Sequence, residues 1–99
     1  RPYLGISTNP YLNDCGFTFG VCITVQEGGA AAAAGLLDDD VIVGYKTENM
    51  DEFLDIYNFN DLKEAILNSS VGETIQVKYA RDGIIYISQE TVLGTHPDD

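Results

Sequence analysis

The chain has little positive charge: among its 99 residues five Lys and Arg stand against 16 Asp and Glu, for a formal net charge of −11. A protein that neutralises phosphates needs a basic stripe. Arg1, Lys46, Lys63, Lys78 and Arg81 are scattered instead, which argues against nucleic acid and disfavours anionic membrane surfaces as partners. The acidity favours basic peptides, through steering that salt screens beyond roughly 8–10 Å. Histidine is scarcer still. The single His96 stands next to Pro97, and none of Ser7, Ser69, Ser70 and Ser88 sits in a Gly-x-Ser-x-Gly setting. No nucleophile and base pair is visible, so no catalytic residue is assigned. Two cysteines, Cys15 and Cys22, lie seven positions apart without a neighbouring histidine, which excludes a four-ligand zinc site of the chain's own. A disulfide between them stays open, and the expectation is a reduced Cys22 buried in an apolar strand. No run of eighteen apolar residues occurs, and no charged-then-apolar leader opens the chain, so neither an anchor nor an address is expected in this segment.

What is present suits one compact domain with one core, since 44% of the side chains are hydrophobic. Arg1-Pro2 and His96-Pro97-Asp98-Asp99 read as linkers. The expectation is therefore a single domain over 1–99, with an ordered core over about 2–94 and a tail over 95–99, belonging to a longer protein. Asp38-Asp39-Asp40 invites a cation, but consecutive carboxylates splay apart and no EF-hand spacing follows. A solvated corner is expected there, with no metal and no cofactor.

Leu4 to Thr8 reads as a first short strand ended by the turn pair Asn9-Pro10, with Tyr11 to Gly20 as loop. Gly20 to Gln26 is β-branched and reads as a buried strand. Ala30 to Ala34, stopped by Gly35, suits a short helix. Val41 to Tyr45 is a further apolar strand. The acidic stretch Lys46 to Asn58 reads as irregular or one turn of helix. A longer helix follows: Asn60 caps it, Asp61 and Glu64 favour its positive end, and Leu62, Ala65 and Ile66 share a face, with Leu67 pointing away into the core. Tyr57 and Phe59 before it suit a hydrophobic staple or core. Thr74 to Tyr79 and Ile84 to Val92 close the chain as two strands around Asp82-Gly83, a strong hairpin signal. Near the start, Gly5 within Tyr3-Leu4-Gly5-Ile6 lets consecutive N–H groups curl into one concavity, a nest that binds an anion without a basic side chain. The sum is an α+β domain of about five to six strands with one short and one longer helix, whose sheet curls around a core and leaves a groove beside the longer helix.

In this order the pieces resemble a PDZ domain, in the circularly permuted arrangement of bacterial HtrA-type, trypsin-like serine proteases. Arg1-Pro2-Tyr3-Leu4-Gly5-Ile6 is similar to that family's carboxylate-binding loop. Gly28 through Leu36 resembles its Gly-Ser-Pro-Ala-Ala-x-Ala-Gly-Leu segment, Asp40-Val41-Ile42-Val43 its Gly-Asp-Val-Ile strand entry, and Val71-Gly72-Glu73-Thr74 through Arg81-Asp82-Gly83 its final strand pair. Ala30 stands where the family has proline, Asp39 where it has glycine, and Lys46 to Asn58 is long where the family has a tight turn.

The resemblance implies a PDZ-like, partly open β-barrel or sandwich that binds C-terminal or unfolded polypeptide segments and performs no catalysis itself. The peptide adds as a strand between Ile6, Ser7 and Thr8 on one side and the helix of Asp61, Leu62, Ala65 and Ile66 on the other. The N–H groups of Leu4, Gly5 and Ile6, in the loop that Tyr3 opens, hold the terminal carboxylate, and Leu4, Ile6, Leu62 and Ile66 wall the pocket for the last side chain. It also implies a secreted or membrane-anchored parent protease, whose own protease domain is a further candidate partner. Related settings are C-terminal processing proteases, site-two-type membrane proteases, and a structural module engaging a neighbouring domain.

Overall fold

The structure is a computed structural model that describes residues 1–8, 15 and 17–97. The expected turn at Asn9-Pro10 and most of the loop before Gly20 lie outside the described residues. In chain order the elements are β1 (Pro2–Tyr3), β2 (Ile6–Thr8), β3 (Val21–Val25), α1 (Ala30–Ala33), β4 (Val41–Thr47), β5 (Leu54–Asp55), α2 (Phe59–Leu67), β6 (Thr74–Arg81), β7 (Ile84–Ile87), β8 (Thr91–Val92) and β9 (Gly94–Thr95). An antiparallel path β2-β3-β4-β6-β7 forms the sheet, to which the short β5 and β8 add on β4 and β6. These five strands are the ones the sequence marks, and the sheet curls over the core without closing into a barrel.

The core gathers the apolar faces of these elements. Val21, Ile23, Ile42, Tyr45, Ile75 and Val77 from the sheet meet Leu62 and Ala65 of α2 and the small Ala30, Ala31 and Ala34 around α1. The Asp82-Gly83 turn behaves as its sequence dictates: both residues hold positive φ, 54° and 80°, the mirror-image turn that matches the right-handed twist of β6 and β7. α1 starts at Ala30 directly after Gly29, the first helical position where a proline is tolerated, so the alanine there leaves the helix start intact. Asp39 has φ 72°, the left-handed region that explains why a glycine suits this position and why Asp is an acceptable substitute.

Several expectations give way. The Asp38 to Asp40 corner is not merely solvated: Asp40 is fully buried, takes Arg81 Nε and Nη2 at 2.8 and 2.7 Å, and accepts Leu37 N–H at 2.8 Å. A buried carboxylate persists only when paired and hydrogen-bonded, and these contacts supply both. Arg81 is correspondingly held more firmly protonated than an ordinary arginine, first by its hydrogen bonds to Asp40. Cys22 is buried but not reduced, since it forms a disulfide with Cys15. Their Cα atoms are 5.8 Å apart, within the reach of the bond.

The stretch Lys46 to Asn58 extends β4 to Thr47 and returns as β5, because Ile56 inserts completely into the core and Phe53 is covered by Lys46 and Lys78, whose Nζ atoms lie 5.9 and 5.0 Å from its ring centre. The cap of α2 is Asn58 rather than Asn60: Asp61 N donates to Asn58 Oδ1 at 3.0 Å, and the Asp61 carboxylate reaches back to Tyr57 N at 2.9 Å. Tyr57 and Phe59, expected as staple or core, flank the cap and are both exposed. The strand expected from Ile84 to Val92 breaks at Ser88, whose Oγ accepts Val77 N–H and donates to Gln89 O, so that Thr91–Val92 pairs with the other end of β6. The tail expected from residue 95 is paired as well: Thr95 lies opposite Pro2 in the β1–β9 ladder, and His96 N donates to Arg1 O at 3.0 Å. Among the described residues, no helix is long and apolar enough to cross a membrane.

Candidate functional site

The chain between β1 and β2 is shaped by where its carbonyls go. Leu4 O accepts Ala31 N–H at 2.8 Å, inside the first turn of α1, and Gly5 O accepts Gln26 N–H at 2.9 Å. In a planar trans peptide the N–H points opposite to the C=O of the same unit. The Gly5 and Ile6 N–H groups are therefore turned away from α1 and β3. Gly5 reaches this arrangement with φ 82° and lies so close to Gly29 that a Cβ on it would stand 2.9 Å from Gly29 Cα. Only glycine meets both conditions.

On the side away from α1 lies a cavity of about 350 Å³, lined by Pro2, Tyr3, Leu4, Gly5 and Ile6 across from Phe59, Leu62, Lys63, Ile66 and Leu67. The helical set follows the i, i+3, i+4, i+7, i+8 pattern of one face of α2. Arg1 and His96 complete the lining, and no Asp or Glu belongs to it, so the wall is basic and apolar in an otherwise acidic molecule. The His96 ring meets that of Tyr3 edge-on, with centroids 4.7 Å apart.

From this cavity the open edge of β2 leads away. The Gln26 N–H to Gly5 O bond sets the phase of the β2–β3 ladder, which Gly5 joins through its carbonyl alone, and the register Ile6↔Val25, Ser7↔Thr24, Thr8↔Ile23 then alternates. Ile23 N–H and Val25 N–H go to Asp40 O and Asp38 Oδ1 on the far side of β3, as this alternation requires. The backbone groups of Ile6 and Thr8 consequently face outward, on the edge of the sheet that no strand covers among the described residues.

Of the residues singled out from sequence, Tyr3, Leu4, Gly5, Ile6, Leu62 and Ile66 are brought together around the cavity. Ser7 and Thr8 continue the open edge beyond it. Ala65 points into the core, and the Asp61 carboxylate is engaged by the backbone ahead of α2, so neither lines the cavity. Leu67, expected to turn into the core, is half exposed and lines the cavity instead, because it lies four positions after Lys63 and eight after Phe59, on the same face of α2. Phe59 and Lys63 are the residues sequence reasoning missed on this wall. The helical period from Leu62 and Ile66 would have found them had the helix been started at Phe59.

The PDZ-domain family profile matches residues 2–85. Among solved structures, the chain is similar to one described as "HtrA-type protease AlgW with decapeptide", at 23% identity and a TM-score of 0.75 over 98% of this chain and 30% of that one. It is also similar to the HtrA3 PDZ domain bound to a phage-derived ligand, FGRWV, at 22% identity and a TM-score of 0.63 over 95% of this chain and 89% of that one. No curated protein sequence matches the chain.

Proposed function

This chain belongs to the PDZ-domain family, and from that membership we propose that it binds the C-terminal ends or extended hydrophobic segments of other polypeptides. They add as a strand along the open edge of β2, and the domain serves as the noncatalytic recognition module of a larger, trypsin-like serine protease. One observation carries the reading: the outward-turned N–H groups of Gly5 and Ile6 lie where an open strand edge runs into a cavity walled by Leu4, Ile6, Leu62 and Ile66. A strand added to this edge supplies backbone hydrogen bonds, and its end meets donors suited to a carboxylate and a pocket suited to an apolar side chain. The peptide ligands of the two similar structures support this.

Burying one aliphatic side chain contributes roughly 1.5–3 kcal/mol and each charge-assisted hydrogen bond roughly 1.5–3, against an association cost of about 4–15. Micromolar binding, about −8 kcal/mol, is the expected scale. We propose a parent protein outside the cytoplasm, a setting in keeping with the Cys15–Cys22 disulfide, since such bonds persist in oxidising compartments. The reading is tested by titrating the domain with a peptide ending in a free apolar residue and with its amidated twin: tighter binding of the free acid is expected, and equal binding refutes carboxylate recognition. A second reading, a module that engages its neighbouring segments, draws on Arg1 and His96, which line the same cavity. Loss of peptide binding when the domain is lengthened at either end would favour it.

A further inference from the structure

Gln26, the residue directly after β3, touches the chain around Gly5 at every level. Its backbone N–H donates to Gly5 O at 2.9 Å, and its own carbonyl accepts Gly29 N–H at 3.4 Å, within the turn on which Gly5 packs. Its side-chain Oε1 accepts the Tyr3 hydroxyl, and its Nε2 donates to Ser7 Oγ at 2.9 Å. One amide thus joins the residue that enters the loop to Ser7, the middle residue of β2. Tyr3 and Ser7 lie four positions apart, and the distance between them is fixed only if the intervening Leu4-Gly5-Ile6 keeps its curl.

We infer that Gln26 is a positioning residue for the carboxylate-binding loop: it touches no ligand itself, and it holds Gly5 and Ile6 N–H at the angle that receives a terminal carboxylate. This rests on the carboxylate reading proposed above. The glycine provides the freedom to curl, and the amide removes the unused part of that freedom. Without the amide, the loop keeps the backbone bonds of Leu4 and Gly5 but loses its tie from Tyr3 to Ser7. A looser loop still accepts a strand on the β2 edge, whereas donors aimed at a single anion lose their convergence.

The test is Gln26→Met, which keeps side-chain length and both backbone bonds and removes the two side-chain contacts. The probe is Phe-Gly-Arg-Trp-Val, the ligand of the similar HtrA3 domain, as free acid and as amide. The ratio of the two affinities is expected to fall about tenfold, the loss of two hydrogen bonds of ordinary strength. A purely structural role would lower both affinities in parallel and leave the ratio where it was. Tyr3→Phe combined with Ser7→Ala removes the same contacts from the other side. It is expected to give the same loss, and Gln26→Met added to it no further loss. A wild-type protein that discriminates acid from amide while Gln26→Met keeps the same ratio overturns this inference alone. Wild-type protein that binds acid and amide alike overturns the carboxylate reading and this inference with it.

Discussion

Among the described residues the sheet ends in two open edges, β2 and β7, and they are built in opposite ways. β2 is three residues long, begins at a loop that only glycine can form, and faces a helix across a cavity. β7 is four consecutive apolar residues, Ile84-Ile85-Tyr86-Ile87, all exposed, and none of them lines the cavity beside α2. Either edge offers backbone groups to a further strand. Selectivity needs more than that: something must mark where the added strand stops and which side chain sits at its end. On the function proposed above, the loop at Gly5 and the face of α2 do both at β2. At β7 the neighbouring turn, Asp82-Gly83, shapes only the hairpin.

The sharpest way to break this contrast is Gly5→Val. The substitution places a β-branched residue at φ 82° and a Cβ 2.9 Å from Gly29 Cα, two faults with one remedy, which is to move the loop off α1. Binding of a peptide with a free apolar C-terminus is expected to fall at least about tenfold, with a loss of stability on the order of 1–3 kcal/mol. Titration calorimetry and urea unfolding read the two effects separately. Retained affinity would sink the assignment of this loop as the carboxylate site.

A smaller effect is expected where the groove wall is fastened to the sheet. Ser69, just past α2, donates its hydroxyl proton to Ala65 O at 2.9 Å, so the 2.7 Å contact with Tyr45 on β4 uses the tyrosine as donor. Tyr45→Phe removes that bond and is expected to cost about 0.5–1.5 kcal/mol. The pH dependence follows from the same site. Burial raises the Tyr45 hydroxyl above its ordinary pKa, with Ser69 opposing and Glu73 adding to the shift. The unfolded chain therefore ionises first, and this contribution to stability, complete below about pH 10, is lost as pH rises through the folded-state value. Urea midpoints for wild type and Tyr45→Phe should converge as pH is raised from about 9 to about 11. A constant gap across that range would remove Tyr45 as the source.

The two edges differ also in how much of them could be read from sequence. Local signals were sufficient at the hairpin, where Asp82-Gly83 dictates its own backbone, and at the Gly5 loop, where a glycine between apolar residues permits the curl that the fold uses. They failed wherever a partner distant in sequence decided the outcome. Asp40 looks like one more surface aspartate until Arg81, 41 residues later, closes on it. Ile56 gave no hint of the core position that folds Lys46 to Asn58 back onto β4, and nothing near His96 indicates that the chain end pairs with β1. The groove was legible as far as its apolar helix residues, since Leu62 and Ile66 keep helical spacing. The start of α2 was misplaced because Asn58 and Asn60 are equally good caps in isolation, and Asp61 chooses between them by bonding back to Tyr57.

The smallest expected effect belongs to the other edge, and it defines the comparison from that side. Ile85 lies opposite Ala80, and Ile87 opposite Lys78, so both share the outer face of the sheet, away from the principal core and from the groove. Ile85→Lys puts a charge on an exposed edge strand, the usual device against unwanted edge pairing. Because Ile85 is half exposed, stability is expected to change by no more than about 0.5 kcal/mol. Peptide affinity should stay at the wild-type value, since no groove residue touches this face. Self-association at high concentration, read by analytical ultracentrifugation, should weaken. Were Ile85→Lys instead to lower peptide affinity, strand addition would not be confined to β2, and the selectivity assigned to the Gly5 loop would have to be shared with the hairpin.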